Sequence, residues 1–276
     1  MKLGCTISTY PCKFGPIVLR DGELRRDCEL LNKYGYSSVD LFIKETNDAE
    51  IQIYKNLFSD YHISIACLFA IYLGESGVSL SERDAKKRQR NMDLFKRQLE
   101  KAAQLGSVGL GLGFIRGGYS KNETESDALF RIAECLHPLG EFAEELGIKI
   151  LLEPINRYEI NTLNRASDSI TFIRNNKLRG VALQLDCFHM NIEDASIPDV
   201  IREANDLIGN IHVSSSNRYA VGRGHLDYTP IIGALQEVGY EGSLVFEGFA
   251  PDVENAMEEN ARNLNAYIKR STRSTV

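Results

Sequence analysis

The chain has no uninterrupted apolar run near the roughly 18 residues that a membrane-spanning helix requires, so no spanning segment is expected. Its first residues, Met1-Lys-Leu-Gly-Cys5, lack the apolar core and small-residue cleavage site of a secretory signal. No Cys-x-x-Cys pair occurs among the six cysteines, Cys5, Cys12, Cys28, Cys67, Cys135 and Cys187. Several of them fall inside apolar segments, where a free thiol packs as a small core residue. These absences lead us to expect a reduced, cytoplasmic protein. Positive charge is also in short supply. With 32 Lys and Arg against 38 Asp and Glu, the formal charge is −6, which argues against a broad nucleic-acid footprint. The one basic cluster, Lys86-Lys-Arg88 with Arg90, lies on a charged helical stretch and reads as a solvated face. No low-complexity or linker-like segment interrupts the 276 residues, so residues 1–276 are expected to form one domain.

Hydrophobic content of 43% and charged content of 25% are those of a folded globular chain. One stretch organises it. Ile148-Lys-Ile-Leu-Leu-Glu153 resembles a buried parallel strand that ends on a carboxylate, and Pro154 then removes a ladder donor. The same event recurs downstream. Val181-Ala-Leu-Gln-Leu185 runs into Asp186, Gly209-Asn-Ile211 into His212, and Ser243-Leu-Val-Phe246 into Glu247. A carboxylate at the end of an apolar strand is costly to bury unless a cation or a proton sits on it.

Earlier strands are expected at Leu3 to Ser8, Ser38 to Ile43, Ile63 to Phe69 and Val108 to Ile115. Between the eight strands, helical spacing predicts eight helices in strict alternation, including Glu82 to Leu105, Ser126 to Leu146, and Ala166 to Asn175 capped by its own Ser and Asp. Strand six is followed by a loop through Pro198, and the tail from Arg270 is read as frayed. The glycines of Val108-Gly-Leu-Gly-Leu-Gly-Phe-Ile115 lie inside a strand, whereas a dinucleotide fingerprint needs them between strand and helix. They are better explained as small residues where a strand closes against its neighbours. Strict alternation with short connections implies parallel strands and right-handed crossovers, and eight units in this length fit a (β/α)8 TIM barrel. The four polar strand ends are separated by 33, 26 and 35 residues, about one βα unit each. In an open sheet they would spread over roughly 15 Å, whereas a closed barrel brings them together on its carboxyl face.

Two Glu, one Asp and one His make a mostly oxygen donor set, which favours Mn²⁺, Mg²⁺ or Co²⁺ over a structural zinc. On composition alone an alternative stands: polar strand ends can pair with an arginine, and Arg157 and Arg218 are available.

Three stretches in order, Leu151-Leu-Glu-Pro-Ile-Asn-Arg-Tyr-Glu159, Leu185-Asp-Cys-Phe-His-Met-Asn-Ile-Glu193, and Ile211-His212 through Ser216-Asn-Arg218 to Gly222-Arg-Gly-His225, with Gly242 to Glu247 as the last strand, carry a resemblance. The chain resembles the xylose-isomerase-like barrels, and among them the ketose 3-epimerases of the D-tagatose/D-allulose 3-epimerase type and related keto-sugar-acid epimerases. The resemblance is plain from about residue 108 to 250 and rests on barrel register before that. It implies that Glu153, Asp186, His212 and Glu247 hold a divalent metal, Mn²⁺ foremost. It further implies that Glu153 and Glu247 are the acid/base pair, and that Glu159, His189 and Arg218 contact the substrate's O1 to O3 end, with Asn217 orienting the loop. Tyr10, Phe14, Phe69, Tyr72 and Phe114 are candidates for the wall over the sugar. A small-molecule sugar substrate and a homo-oligomer, dimer or tetramer, follow from the same resemblance. Two departures stand out: Ser214-Ser-Ser216 where many relatives carry acidic or amide residues, and Gly248 after Glu247. They bear on which sugar fits.

The rival reading on the same barrel is an aldose–ketose or hydroxypyruvate-type isomerase, with inosose dehydratase a further option. Arg116-Gly-Gly118 and Gly222-Arg-Gly224 are candidate grips for a phosphorylated substrate. A barrel endonuclease needs more than five histidines and a basic face. A barrel that binds sugar without turnover would not require two opposed carboxylates.

Overall fold

The structure is a computed structural model that describes residues 1–13 and 15–273. Its strands are β1 (Lys2–Ser8), β2 (Ser38–Phe42), β3 (Ser64–Phe69), β4 (Gly109–Leu112), β5 (Lys149–Leu152), β6 (Val181–Asp186), β7 (Ile208–Val213) and β8 (Ser243–Phe246). Each pairs in parallel with the next, and β8 returns to β1, so the eight form a closed barrel. The helices are α1 (Leu24–Lys33), α2 (Asp48–Asp60), α3 (Ile71–Glu75), α4 (Ala85–Leu105), α5 (Glu125–Glu145), α6 (Ala166–Asn175), α7 (Cys187–Glu193), α8 (Ile197–Ala204), α9 (Tyr228–Glu237) and α10 (Val253–Arg273). This is the expected (β/α)8 TIM barrel.

The element order departs from strict alternation in two places. After β3 comes the five-residue α3, and after β6 comes α7 in place of the expected loop. Both are too short to show a helical period in sequence. The end of β6 has a local cause. The Asp186 side chain accepts the Phe188 N–H at 2.8 Å, so the last residue of the strand is also the N-cap of α7. The fourth strand stops at Leu112, and Phe114–Arg116 turns into a 3₁₀ helix. The α4 helix starts at Ala85, where Asp84 caps the Lys87 N–H. On α6 the expected self-cap is absent, and its first N–H is taken by Asp194 of the α7–α8 connection. The tail is helical through Arg273, and residues 274–276 lie outside the described residues.

Glycines shape the barrel where side chains would collide. A Cβ on Gly109 would press on the Lys149 carbonyl, and one on Gly111 would overlap the Phe69 ring. The glycines of β4 therefore serve close packing, as the sequence reading expects. All six cysteines are free and buried. No helix among the described residues is long and apolar enough to cross a membrane.

Candidate active site and metal centre

Glu153 directly follows β5, Asp186 ends β6, His212 sits near the end of β7 and Glu247 directly follows β8. One ligand atom from each lies within 4.8 Å of the others, and all four residues are buried. His212 Nδ1 is the hub, 2.9 Å from Glu247 Oε2, 3.5 Å from Glu153 Oε1 and 3.8 Å from Asp186 Oδ2. Despite these distances Nδ1 makes no aligned hydrogen bond. A buried polar nitrogen without a partner, ringed by three carboxylates, is an atom arranged for something other than a protein proton acceptor.

The charge balance agrees. Asp40 joins the cluster from β2, accepting from His212 Nε2 at 2.7 Å, so four buried carboxylates surround one imidazole and one guanidinium. Burial alone would lower the His212 pKa, yet Glu247, Asp186, Asp40 and Glu153 outweigh it and hold the imidazole well above its usual range. Asp186 would be raised by burial, but Arg218 and His189 hold it well below the usual carboxylate range. Negative charge left over in a desolvated site calls for a further cation. Three carboxylates and one imidazole suit a hard or borderline divalent ion, so the residues fit the group that the sequence reading expects there.

Arg218 reaches the cluster from the loop after β7. Its guanidinium pairs with Asp186 Oδ2 and Glu247 Oε2, each at 2.5 Å, and lies over the Phe188 ring at 4.7 Å from the centroid. Of the two arginines available to pair with the strand ends, this one does so. Arg157 turns away into a two-pronged pair with Glu193 at 2.7 to 3.1 Å. The Arg218 backbone has φ of 64°, the left-handed region that a side-chain-bearing residue adopts at a cost. Gly248 makes room for it, because a Cβ there would press on the Arg218 carbonyl. The departure at position 248 is thus a packing requirement of the Arg218 turn. Asn217 steadies the same loop by donating to the Arg223 carbonyl at 2.9 Å.

His189 and Glu159 are joined by a residue that sequence reading passed over. Asn156 Oδ1 accepts the Tyr158 N–H at 3.0 Å, which fixes the amide orientation. Its Nδ2 then donates to Glu159 Oε1 at 2.7 Å and to His189 Nδ1 at 2.8 Å. Since His189 Nδ1 accepts, a neutral His189 carries its hydrogen on Nε2, 3.7 Å from Asp186 Oδ2.

Above the cluster lies a cavity of about 330 Å³ lined by Glu153, Glu159, His189, Arg218 and Glu247 on one side. The rest of its wall is Pro16, Phe42, Phe69, Ala70, Ile71, Gly74, Gly111, Gly113, Phe114, Ile115 and Ile155, with Glu75 the one charged side chain. The Phe42 and Phe69 rings stack with centroids 4.8 Å apart. Of the expected aromatic candidates, Phe69 and Phe114 line this cavity. Tyr72 faces a separate groove beside α4, Tyr10 is not among the lining residues, and Phe14 lies outside the described residues.

Neither of the two expected phosphate grips lines this cavity. Arg116 is fully buried, and its guanidinium donates to the carbonyls of Gly113, Glu153 and Thr162 at 2.8 to 2.9 Å. It braces the strand-four and strand-five loops from inside. Arg223 pairs with Glu259 on α10 at 2.6 Å. Both arginines that stand beside glycines in these segments make their bonds elsewhere.

A profile of the xylose isomerase-like TIM barrel matches residues 28–269. The D-psicose 3-epimerase of Agrobacterium fabrum (strain C58) is 30% identical over 248 residues, spanning 87% of this chain and 81% of that protein. Among solved structures, an L-ribulose 3-epimerase superposes with a TM-score of 0.85 at 22% identity, covering 99% of this chain and 96% of the other. A D-psicose 3-epimerase crystallised in the presence of D-fructose gives 0.78 at 26% identity, covering 98% and 99%.

Proposed function

The chain belongs to the xylose isomerase-like TIM barrel family, and we propose that within it the protein is a metal-dependent epimerase that inverts C3 of an unphosphorylated ketose. The observation that carries this reading is the meeting of Glu153, Asp186, His212 and Glu247 at the floor of a cavity that both glutamates line. Those four residues would hold the ion, with Mn²⁺ the best match to three carboxylates and one imidazole. When bound, it would supply Lewis-acid stabilisation of the negative charge that develops as the C3 proton leaves.

The chain's own residues do the rest. Glu153 follows β5 and Glu247 follows β8, three strands apart around the barrel, so they approach the cavity from different walls. One carboxylate removes the C3 proton and the other returns a proton to the opposite face, which is what inversion requires. His189 and Arg218 line the same cavity, and their N–H groups are suited to the oxygens at C1 to C3, where an enediolate gathers charge. Glu159 accepts from a sugar hydroxyl. The remaining wall offers no cation among the described residues to pair with a phosphate or carboxylate, and Glu75 would repel either. A neutral sugar with few polar demands beyond C3 suits that wall.

The test is turnover of neutral ketoses by the Mn²⁺-loaded protein, read chromatographically as the C3 epimer, with Glu153→Gln and Glu247→Gln beside it. Each variant is expected to lose at least about a thousandfold in kcat while still binding substrate. A variant that epimerises at the wild-type rate would rule out the two-carboxylate mechanism.

A further inference from the structure

Asp40 stands in the middle of β2 among apolar neighbours and is fully buried. Its partners come from the far side of the barrel. His212 Nε2 lies 2.7 Å from Asp40 Oδ2, and the Asn210 amide donates to both carboxylate oxygens at 3.0 and 2.8 Å. Three strand spacings separate β2 from β7 around the barrel, so these bonds cross its interior. The strand pairing shifts register between Val39 and Asp40, and again between Leu183 and Gln184, where Gln184 pairs with Asn210. Such irregularities re-aim a side chain. Burying a carboxylate inside a barrel is costly; one shift lies at this carboxylate and the other beside the Asn210 that receives it.

The geometry decides what His212 can offer. A carboxylate accepts only, so the nitrogen facing Asp40 carries its hydrogen. In the neutral ring Nδ1, facing Glu153, Asp186 and Glu247 with no aligned hydrogen bond, is then the atom that carries the lone pair. Asn210 grips both Asp40 oxygens, which fixes the carboxylate plane and, through it, the plane of the imidazole. We propose that Asp40, braced by Asn210, is a positioning residue of the metal centre: it holds His212 in the tautomer and orientation that present Nδ1 to the ion. The proposal rests on the metal-centre reading of the preceding subsection and adds two residues from outside the ligand set. Carboxylates behind metal-bound histidines are worth roughly 10- to 100-fold in metal affinity.

The experiment compares Mn²⁺ affinity of the metal-free wild type, Asp40→Asn and Asn210→Ser by calorimetry. Alongside it run the melting temperature of each metal-free protein and the ¹⁵N shifts of the histidine nitrogens in the Mg²⁺-loaded form. The proposal expects one tight Mn²⁺ site in the wild type and at least tenfold weaker binding in Asp40→Asn, without a matching fall in metal-free melting temperature. It also expects His212 with its hydrogen on Nε2. Wild-type affinity in Asp40→Asn, or a hydrogen on Nδ1 in the loaded wild type, overturns the role of Asp40 and leaves the metal centre standing. A wild type that takes up no Mn²⁺ overturns both. If Asp40→Asn fails to fold, Asn210→Ser decides by the same comparison: weaker Mn²⁺ binding supports the brace, and unchanged binding rejects it.

Discussion

Asn156 shows how one amide sets the chemistry of its neighbours. Its oxygen is claimed by the Tyr158 N–H, so its nitrogen must donate to Glu159 and His189. Asn156→Asp turns that donor into an acceptor. His189 would then place its hydrogen on Nδ1 and lose the one on Nε2. We expect kcat/KM for the ketose to fall at least about tenfold, or ~1.4 kcal/mol, with Mn²⁺ content unchanged, which metal analysis beside steady-state kinetics would reveal. Asp27, on α1, makes a separate prediction at this scale. Burial raises its carboxyl pKa to about 6, against the pull of Arg26, and Oδ2 has no partner. The folded state therefore holds this proton more tightly than the unfolded chain does. Its contribution is favourable below about pH 4 and is lost as pH rises through about 6. Asp27→Asn should be more stable than the wild type at pH 7.5, by about 1 kcal/mol after solvent screening. The two proteins should converge near pH 4, and a gap that widens on acidification would contradict the assignment.

At the scale of elements, β4 shows why small residues gather at one strand. Gly111 leaves the space in which Phe69 lies against Phe42 and borders the cavity. Gly111→Ala should destabilise the protein by about 1–3 kcal/mol, as overpacking does, and raise KM because Phe69 is pushed toward the substrate. Denaturant titration and steady-state kinetics check the two effects separately. The strands and long helices were legible from sequence because apolar periodicity persists over enough residues to be seen. The short α3 and α7 were not, since five and seven residues carry too little pattern. The four strand-end residues stood out because polar groups ended apolar runs. Asp40 sent the same kind of signal, a carboxylate inside Val39-Asp-Leu-Phe42, but in mid-strand its partners on β7 are visible only once the barrel closes. Arg116 misled for the opposite reason: its sequence context is that of an exposed loop, while three backbone carbonyls draw it inside.

For the whole molecule, the barrel gathers negative charge from strands 2, 5, 6 and 8 into one desolvated cluster. In the metal-free protein that charge is a burden on the fold, and a divalent ion at the proposed centre would relieve it. Metal should therefore stabilise the entire barrel. At about a hundred times its dissociation constant, a ligand that binds only the folded state adds roughly 2.7 kcal/mol, so removing Mn²⁺ with a chelator should lower the melting temperature reversibly. The neighbouring carboxylates raise His212, so metal uptake should also expel a proton. Calorimetry in buffers of different ionisation enthalpy would register it. A melting temperature indifferent to metal would mean that the cluster is neutralised by Arg218 and His212 alone.

The central claim is proton exchange at C3 between two carboxylates. Its most direct test is incubation of the Mn²⁺-loaded protein with a panel of neutral ketoses in D₂O, followed by proton NMR. Deuterium at C3 together with appearance of the C3 epimer is the expected result. Exchange at C1 with formation of an aldose, or no exchange at any carbon in a protein confirmed to hold its metal, would contradict it.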